Sequence, residues 1–169
     1  MTFLPDDLYA QIERSIPLAC VDFVAVRTAP DGAQQVGLIL RDSPYGRVWC
    51  HLGGRVLYGE TLAAALRRHC LDTLGVEPVL DADPQPDYVY QWFPEEVRPE
   101  SPATGLDARK HSIGLSFTIE LPDAAAIVAQ NEALDFAWFT PPAWPEPLWP
   151  GGRTLLERLT EHPSRGWRS

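Results

Sequence analysis

Apolar positions follow two different periods along the chain, and each change of period marks an element. Leu8, Tyr9 and Ile12 lie at helical spacing within Asp6 to Ser15, and Pro17 stops the run, which predicts a short N-terminal helix within residues 1–16. Leu18 to Arg27 is rich in Val, Ala and Phe and reads as a core strand. The turn Pro30-Asp31-Gly32 returns it into Val36 to Arg41, and a second turn at Ser43-Pro44-Tyr45-Gly46 leads into Val48 to Leu52. After Gly53-Gly54 the step lengthens: Leu62, Ala65, Leu66, Cys70 and Leu74 recur three and four residues apart, as one face of an amphipathic helix that Gly75 closes as a C-cap.

Two further strands are expected at Asp87 to Phe93 and His111 to Leu121, then a last strand at Asp135 to Thr140 and a last helix at Gly151 to Glu161. Pro94 to Lys110 is expected to be a long loop, and long loops are commonly functional or disordered. Pro141 to Pro150, rich in Pro and Trp, reads as a rigid connector packed on the body rather than a ligand for a proline-binding domain. The sequence carries no internal repeat. This order of elements predicts an α/β class, with a mixed central sheet and helices on both sides.

Composition narrows the picture. With 169 residues and 45% apolar content, the chain has enough material for one substantial core, so residues 1–169 are expected to form one domain. No stretch approaches the roughly eighteen consecutive apolar residues of a membrane span. The acidic N-terminus lacks the pattern of a signal peptide, which predicts a cytoplasmic protein. A formal charge of −9 opposes non-specific attraction to nucleic acid or to an anionic membrane. An anionic substrate would therefore need local arginines and a divalent cation.

Cys20, Cys50 and Cys70 are odd in number and form no C-x-x-C, so buried thiols are expected rather than disulfides. Cys50-His51 and His69-Cys70 could supply zinc ligands. Neighbours on a strand point to opposite faces, however, and neighbours on a helix lie about 100° apart, so the four do not easily converge.

The segment from Gly54 to Val76, GRVLYGETLAAALRRHCLDTLGV, resembles the Nudix signature G-x5-E-x7-R-E-U-x-E-E-x-G-U, with U aliphatic. Gly54, Glu60, Arg68, Gly75 and Val76 fall in register. Phe3-Leu4, the run from Pro17 to Val26, and Arg41 upstream of Trp49 resemble the GDP-mannose mannosyl hydrolase branch of that superfamily. The resemblance implies a Nudix-type α/β/α sandwich, with residues 54–76 as its loop-helix-loop. It also implies a divalent-cation-dependent hydrolase of a nucleotide sugar or another nucleoside diphosphate derivative. A homodimer contacting through the N-terminal helix is implied as well.

The signature's helix carboxylates exist because hard cations such as Mg2+ or Mn2+ take oxygen ligands while bridging phosphates. Here their three positions are His69, Asp72 and Thr73, which still share one helical face, but only Asp72 keeps a formal negative charge. The branch's own helix glutamate aligns with Thr73 and its general-base histidine with Ala133; Glu132 beside the latter is the available substitute as ligand or base.

By that resemblance the metal set is Gly54, Asp72 and Glu132, to which His69 would be a new ligand favouring manganese or zinc over magnesium, and the catalytic set is Arg55, Glu60, Arg68 and Asp72. Tyr9, Asp22, Arg41 and Arg55 are expected to bind substrate: the arginines clamping phosphates, Asp22 reading a hydroxyl or base, Tyr9 stacking on the base. Each has a plainer reading. Glu60 and Arg68 could be a simple ion pair, Asp72 a solvated acid, His69 a surface imidazole, Arg41 and Arg55 idle surface charges, and Tyr9 core packing. Asp22 needs a partner in any reading, since an unpaired buried carboxylate is costly. Trp92, Trp138, Trp144 and Trp149 read as structural, and His111 either faces the pocket or is a hydrogen-bonded structural histidine.

Two functions compete. One is the hydrolase, with no general base identified. The other is a catalytically inactive Nudix-fold module that binds a nucleotide or regulates, favoured by the substitutions at 69, 73 and 133. An isomerase of the same fold is a distant third, because no cysteine has a reactive context.

Overall fold

A computed structural model of the chain describes residues 4–101, 103–121 and 127–161; Phe3 therefore lies outside the described residues. The N-terminal helix α1 spans Asp6–Ser15 as expected, and none of its residues is fully buried. The strands β1 (Leu18–Thr28), β2 (Gln34–Ser43), β3 (Gly46–Cys50) and β4 (Leu52–Arg55) follow, then the helix α2 (Leu62–Leu74). The second half holds β5 (Tyr88–Phe93), β6 (Thr104–Leu106), β7 (Ser112–Glu120), β8 (Asp135–Phe139) and α3 (Gly152–Glu161).

Among the described residues these strands form one mixed sheet in the order β3-β2-β1-β7-β5-β6, with β4 on β1 and β8 on β2. The β1–β7 and β5–β6 pairs are parallel and the rest antiparallel. β1 and β2 each change partner half-way along. Residues 25–28 of β1 pair with β2 while residues 20–23 pair with β4, and the C-terminal half of β2 pairs with β3. The paired residues Asp22 of β1 and Gly53 of β4, next to this change of partner, line the cleft described below.

Two expectations from the sequence change. The strand expected at Val48 to Leu52 is two strands broken at His51, because Gly53 takes φ of +132° and a Cβ there would lie 2.0 Å from the Val21 carbonyl oxygen. The backbone can run this close to β1 only as glycine. The expected loop Pro94 to Lys110 contains a 3-10 turn at Glu95–Val97 and the short strand β6.

α2 packs on β4 and β1 through Ala65, Leu66, Cys70 and Leu74, and α3 packs on β5, β6 and β7 through Leu155, Leu156 and Leu159. The Thr61 hydroxyl accepts from the Ala64 N–H at the start of α2, and Gly75 closes it with φ of +70°. The Pro- and Trp-rich connector packs on the body as expected, with Trp144 and Trp149 buried. All three cysteines are buried and unpaired.

Candidate active site

The cleft has an inner recess and an outer trough. The recess, of about 60 Å³, is lined from β1 by Cys20 and Asp22, from the β3–β4 corner by Cys50 and His51, and from β5 by Trp92. The trough, of about 410 Å³, runs along α2 past Arg68, His69, Asp72 and Thr73 to Asn131 and Glu132. Both are lined by Arg41, Gly53, Gly54, Arg109 and Lys110, so three cations stand where recess meets trough. Lys110 is the single lysine of a chain with formal charge −9. Arg41 and Arg109 are paired with Glu132 and Asp107, yet each lining still carries more cations than acids, against the net charge of the molecule, as recognition of an anion requires.

The Glu60–Arg68 pair is bidentate. Arg68 Nε and Nη2 donate to the two Glu60 carboxylate oxygens at 2.8 and 2.7 Å, and Nη2 also reaches the Arg55 carbonyl at 3.1 Å. Glu60 in turn accepts from the Leu57 N–H at 2.9 Å. The pair thus ties the loop after β4 to α2. Hydrogen bonding from Arg68 lowers the Glu60 pKa, and Glu60 raises that of Arg68.

The structure brings Gly54, His69, Asp72 and Glu132 to one trough, but they do not fit a divalent cation. Among the described residues no three His, Cys, Asp or Glu side chains form a group that could hold a metal. Glu132 is bound to Arg41 Nη1 at 2.6 Å. The His69 Nε2 lies 3.2 Å from the Arg55 carbonyl and 3.3 Å from Arg68 Nη1, and its pKa is depressed chiefly by burial. Asp72 is left as one exposed carboxylate, acting on the Arg68 charge, where Mg2+ or Mn2+ takes several oxygens. Gly54 serves packing here: a Cβ on it would fall 2.6 Å from the His69 ring.

The expected substrate-binding residues divide. Arg41 lines both recess and trough. Arg55 instead stacks over the Tyr9 ring, 4.3 Å from its centroid, and neither residue lines the cleft. Asp22, only 4% exposed, finds the partners its burial demands: the Trp92 Nε1–H donates to Oδ2 at 2.8 Å, and Oδ1 faces His51 Nε2 at 3.6 Å. Its oxygens are committed within the protein rather than free for a ligand hydroxyl.

Residues 2–147 match the family model of a domain of unknown function, DUF4916. The chain belongs to the DUF4916 family. Among solved structures, this DUF4916 chain is similar to a protein of Jonesia denitrificans DSM 20603 described as a possible asymmetric diadenosine tetraphosphate (Ap4A) hydrolase. The two are 30% identical, with 92% of this chain and 99% of the other covered, at a TM-score of 0.74. A MutT NUDIX hydrolase from Burkholderia pseudomallei is 18% identical, with 86% and 99% covered and a TM-score of 0.65. The NUDIX domain of Shewanella oneidensis NrtR, solved with ADP ribose, is 21% identical, with 95% and 100% covered and a TM-score of 0.58. The last two matches show the fold alone. The DUF4916 chain has the mixed α/β Nudix fold.

Sequence reasoning missed part of this DUF4916 site. The sequence pattern presents His51 only as a zinc ligand and Trp92 and Trp149 as structural, and it singles out neither Arg109 nor Lys110. Arg109 is held by Asp107 through two bonds of 2.8 Å and lies over the Trp149 ring at 5.3 Å. The signal available was the lone lysine beside an arginine in a long loop. His111 does not line the cleft; it stacks on Phe93 at 4.2 Å, and its Nε2 is buried without a partner.

Proposed function

We propose that this protein is a hydrolase of a nucleoside diphosphate derivative, and that Arg41, Arg109 and Lys110 hold the phosphate chain. The observation that carries the reading is the position of these three cations at the junction of recess and trough. Phosphates seated there would leave the nucleoside end in the trough, whose volume of about 410 Å³ lies in the usual range for small-molecule sites. Arginine binds phosphate oxygens bidentately and lysine as a point charge. The same cations would stabilise the charge that develops on the leaving group.

The named ligands of similar proteins, Ap4A and ADP ribose, share a phosphate chain esterified to a nucleoside. That shared chemistry supports the substrate class, while a nucleotide sugar is the finer expectation from the resemblance to mannosyl hydrolases. Exposed Leu4, Leu8 and Ile16 around α1 support the expected homodimer.

A second reading, a nucleotide-binding module without turnover, is favoured by one observation: the expected metal donors do not converge. Incubating the protein with nucleotide sugars, ADP ribose and dinucleoside polyphosphates, in magnesium, manganese or chelator, separates the two. Nucleoside mono- or diphosphate release seen by mass spectrometry, lost in Arg41→Ala, establishes the hydrolase. Thermal stabilisation by a nucleotide with no product from any substrate establishes the module instead.

A further inference from the structure

We propose that His51, oriented by Asp22, is the catalytic residue that takes the proton from the attacking water; this rests on the hydrolase reading above. Hydrolysis needs a base; the aligned position Ala133 offers none, and Glu132 beside it is held by Arg41 at 2.6 Å. The inner recess supplies one.

The fold shapes the recess around this pair. A Cβ on Gly114 would lie 2.0 Å from Asp22 Oδ2, and one on Gly105 would lie 2.0 Å from the Trp92 ring, so two glycines clear the space that the carboxylate and the indole occupy. Trp92 then does two things: it donates to Asp22, and it stacks on the His51 ring at 5.0 Å and 18°. His51 is thereby held on its face by an indole and faces a carboxylate with Nε2. The 3.6 Å separation is longer than a hydrogen bond and becomes an ion pair once His51 has taken a proton; catalytic contacts of this kind are often long before substrate binds. A carboxylate opposite Nε2 keeps the proton on that nitrogen and leaves the Nδ1 lone pair available. Among the described residues Nδ1 has no hydrogen-bond partner.

The other groups facing the recess do not compete. The thiols of Cys20 and Cys50 are pushed by burial to about 11 and about 12, so neither is a base near neutrality. Asp107 is committed to Arg109, and Arg41, Arg109 and Lys110 are cations. A volume of about 60 Å³ is more than the roughly 10–15 Å³ that a single water needs, so the recess has room for the nucleophile.

In the proposed step the water oxygen bonds to phosphorus as one water proton passes to His51 Nδ1. The bond from phosphorus to the bridging oxygen breaks, and its electron pair leaves on that oxygen beside the three cations. Asp22 stabilises the imidazolium, which then releases its proton to solvent.

The test uses full-length protein and whichever substrate the wild type turns over. His51→Ala should lower kcat by about a hundredfold or more with little change in KM, and added imidazole should restore part of the rate in a saturable manner. His51→Gln should be equally slow and not rescued, and Asp22→Asn should reduce kcat rather than KM. Thermal stabilisation by a bound nucleotide checks that each variant folds and binds; if His51→Ala fails that check, the kcat of His51→Gln decides. Wild-type turnover that His51→Ala or His51→Gln retains within threefold overturns this inference alone, as does a loss in a folded His51→Ala that imidazole does not restore. No wild-type turnover of any substrate removes both this inference and the hydrolase reading.

Discussion

Gly114 and Asp22 are coupled through a missing atom: a Cβ on Gly114 would fall 2.0 Å from Asp22 Oδ2 and 3.2 Å from the carbonyl oxygen of Tyr90, its partner on β5. Gly114→Ala should push the Asp22 carboxylate off Trp92 and leave a buried charge under-bonded. The expected cost is about 1–3 kcal/mol of stability, read by chemical denaturation. A variant as stable as the wild type would mean that the carboxylate has another place to sit.

Lys110 is the chain's only lysine and stands at the proposed phosphate seat. Amine-directed acylation should therefore modify one side chain, and pyrophosphate or a nucleoside diphosphate should slow its labelling, as followed by peptide mass spectrometry. Equal labelling with and without saturating ligand would place the phosphates elsewhere.

Glu132 competes with any phosphate for Arg41, to which it is bound at 2.6 Å, with the two side chains 33% and 19% exposed. Glu132→Gln should tighten pyrophosphate binding in calorimetry by about fivefold, matching the roughly 1 kcal/mol of a partly exposed ion pair. The opposite result, binding that weakens only when magnesium or manganese is present, would restore Glu132 as a metal ligand.

The Glu60–Arg68 brace predicts an acid-side signature. Glu60 titrates below its ordinary carboxylate value in the folded protein, so its contribution is fully present above that value and is lost as pH falls through the lowered folded one. Burial likewise depresses His69, whose contribution fades as pH drops below the ordinary histidine range. Glu60→Gln should flatten the acid limb of a stability–pH curve and move the His69 portion further toward acid, because the Glu60 charge favours protonated His69. Arg68→Lys should fail to restore the brace, because a single ammonium cannot make both of the bonds that the guanidinium makes.

The dimer expectation is the simplest to check. Light scattering at micromolar concentration should give twice the chain mass, and Leu8→Asp should return it to the single mass, since Leu8 is 42% exposed on α1. A monomeric wild type would dispose of the idea.

Much of the fold was legible because its elements announce themselves by period. The helix face from Leu62 to Leu74 and the apolar run of β1 were each placed within a residue or so. The brace was legible too, because Glu60 and Arg68 lie in one motif eight residues apart. The recess was not. Asp22 and Trp92 come from two strands and His51 from the corner between β3 and β4, up to 70 residues apart, and the pairing of β1 with β4 and, through β7, with β5 brings them together, with the two cleared glycine positions. Arg55 illustrates the reverse: its position in the motif pointed into the cleft, yet its side chain turns to the Tyr9 ring.

Segment 128–131 takes up the carbonyls that end α2. Leu74 accepts from the Val128 N–H, Thr73 from the Gln130 N–H, Leu71 from the Gln130 side chain, and Asp72 from the Asn131 side chain, with Asn131 at φ of +54°. A helix end normally shares these oxygens with water. Here the helix and the strip carrying Glu132 are welded into one jaw. The opposite jaw is the short span of Asp107 to Lys110. That span is tied down too, by the Asp107 N–H to the Phe93 carbonyl, so a change at Asn131 reaches the trough through Glu132 and the end of α2 together.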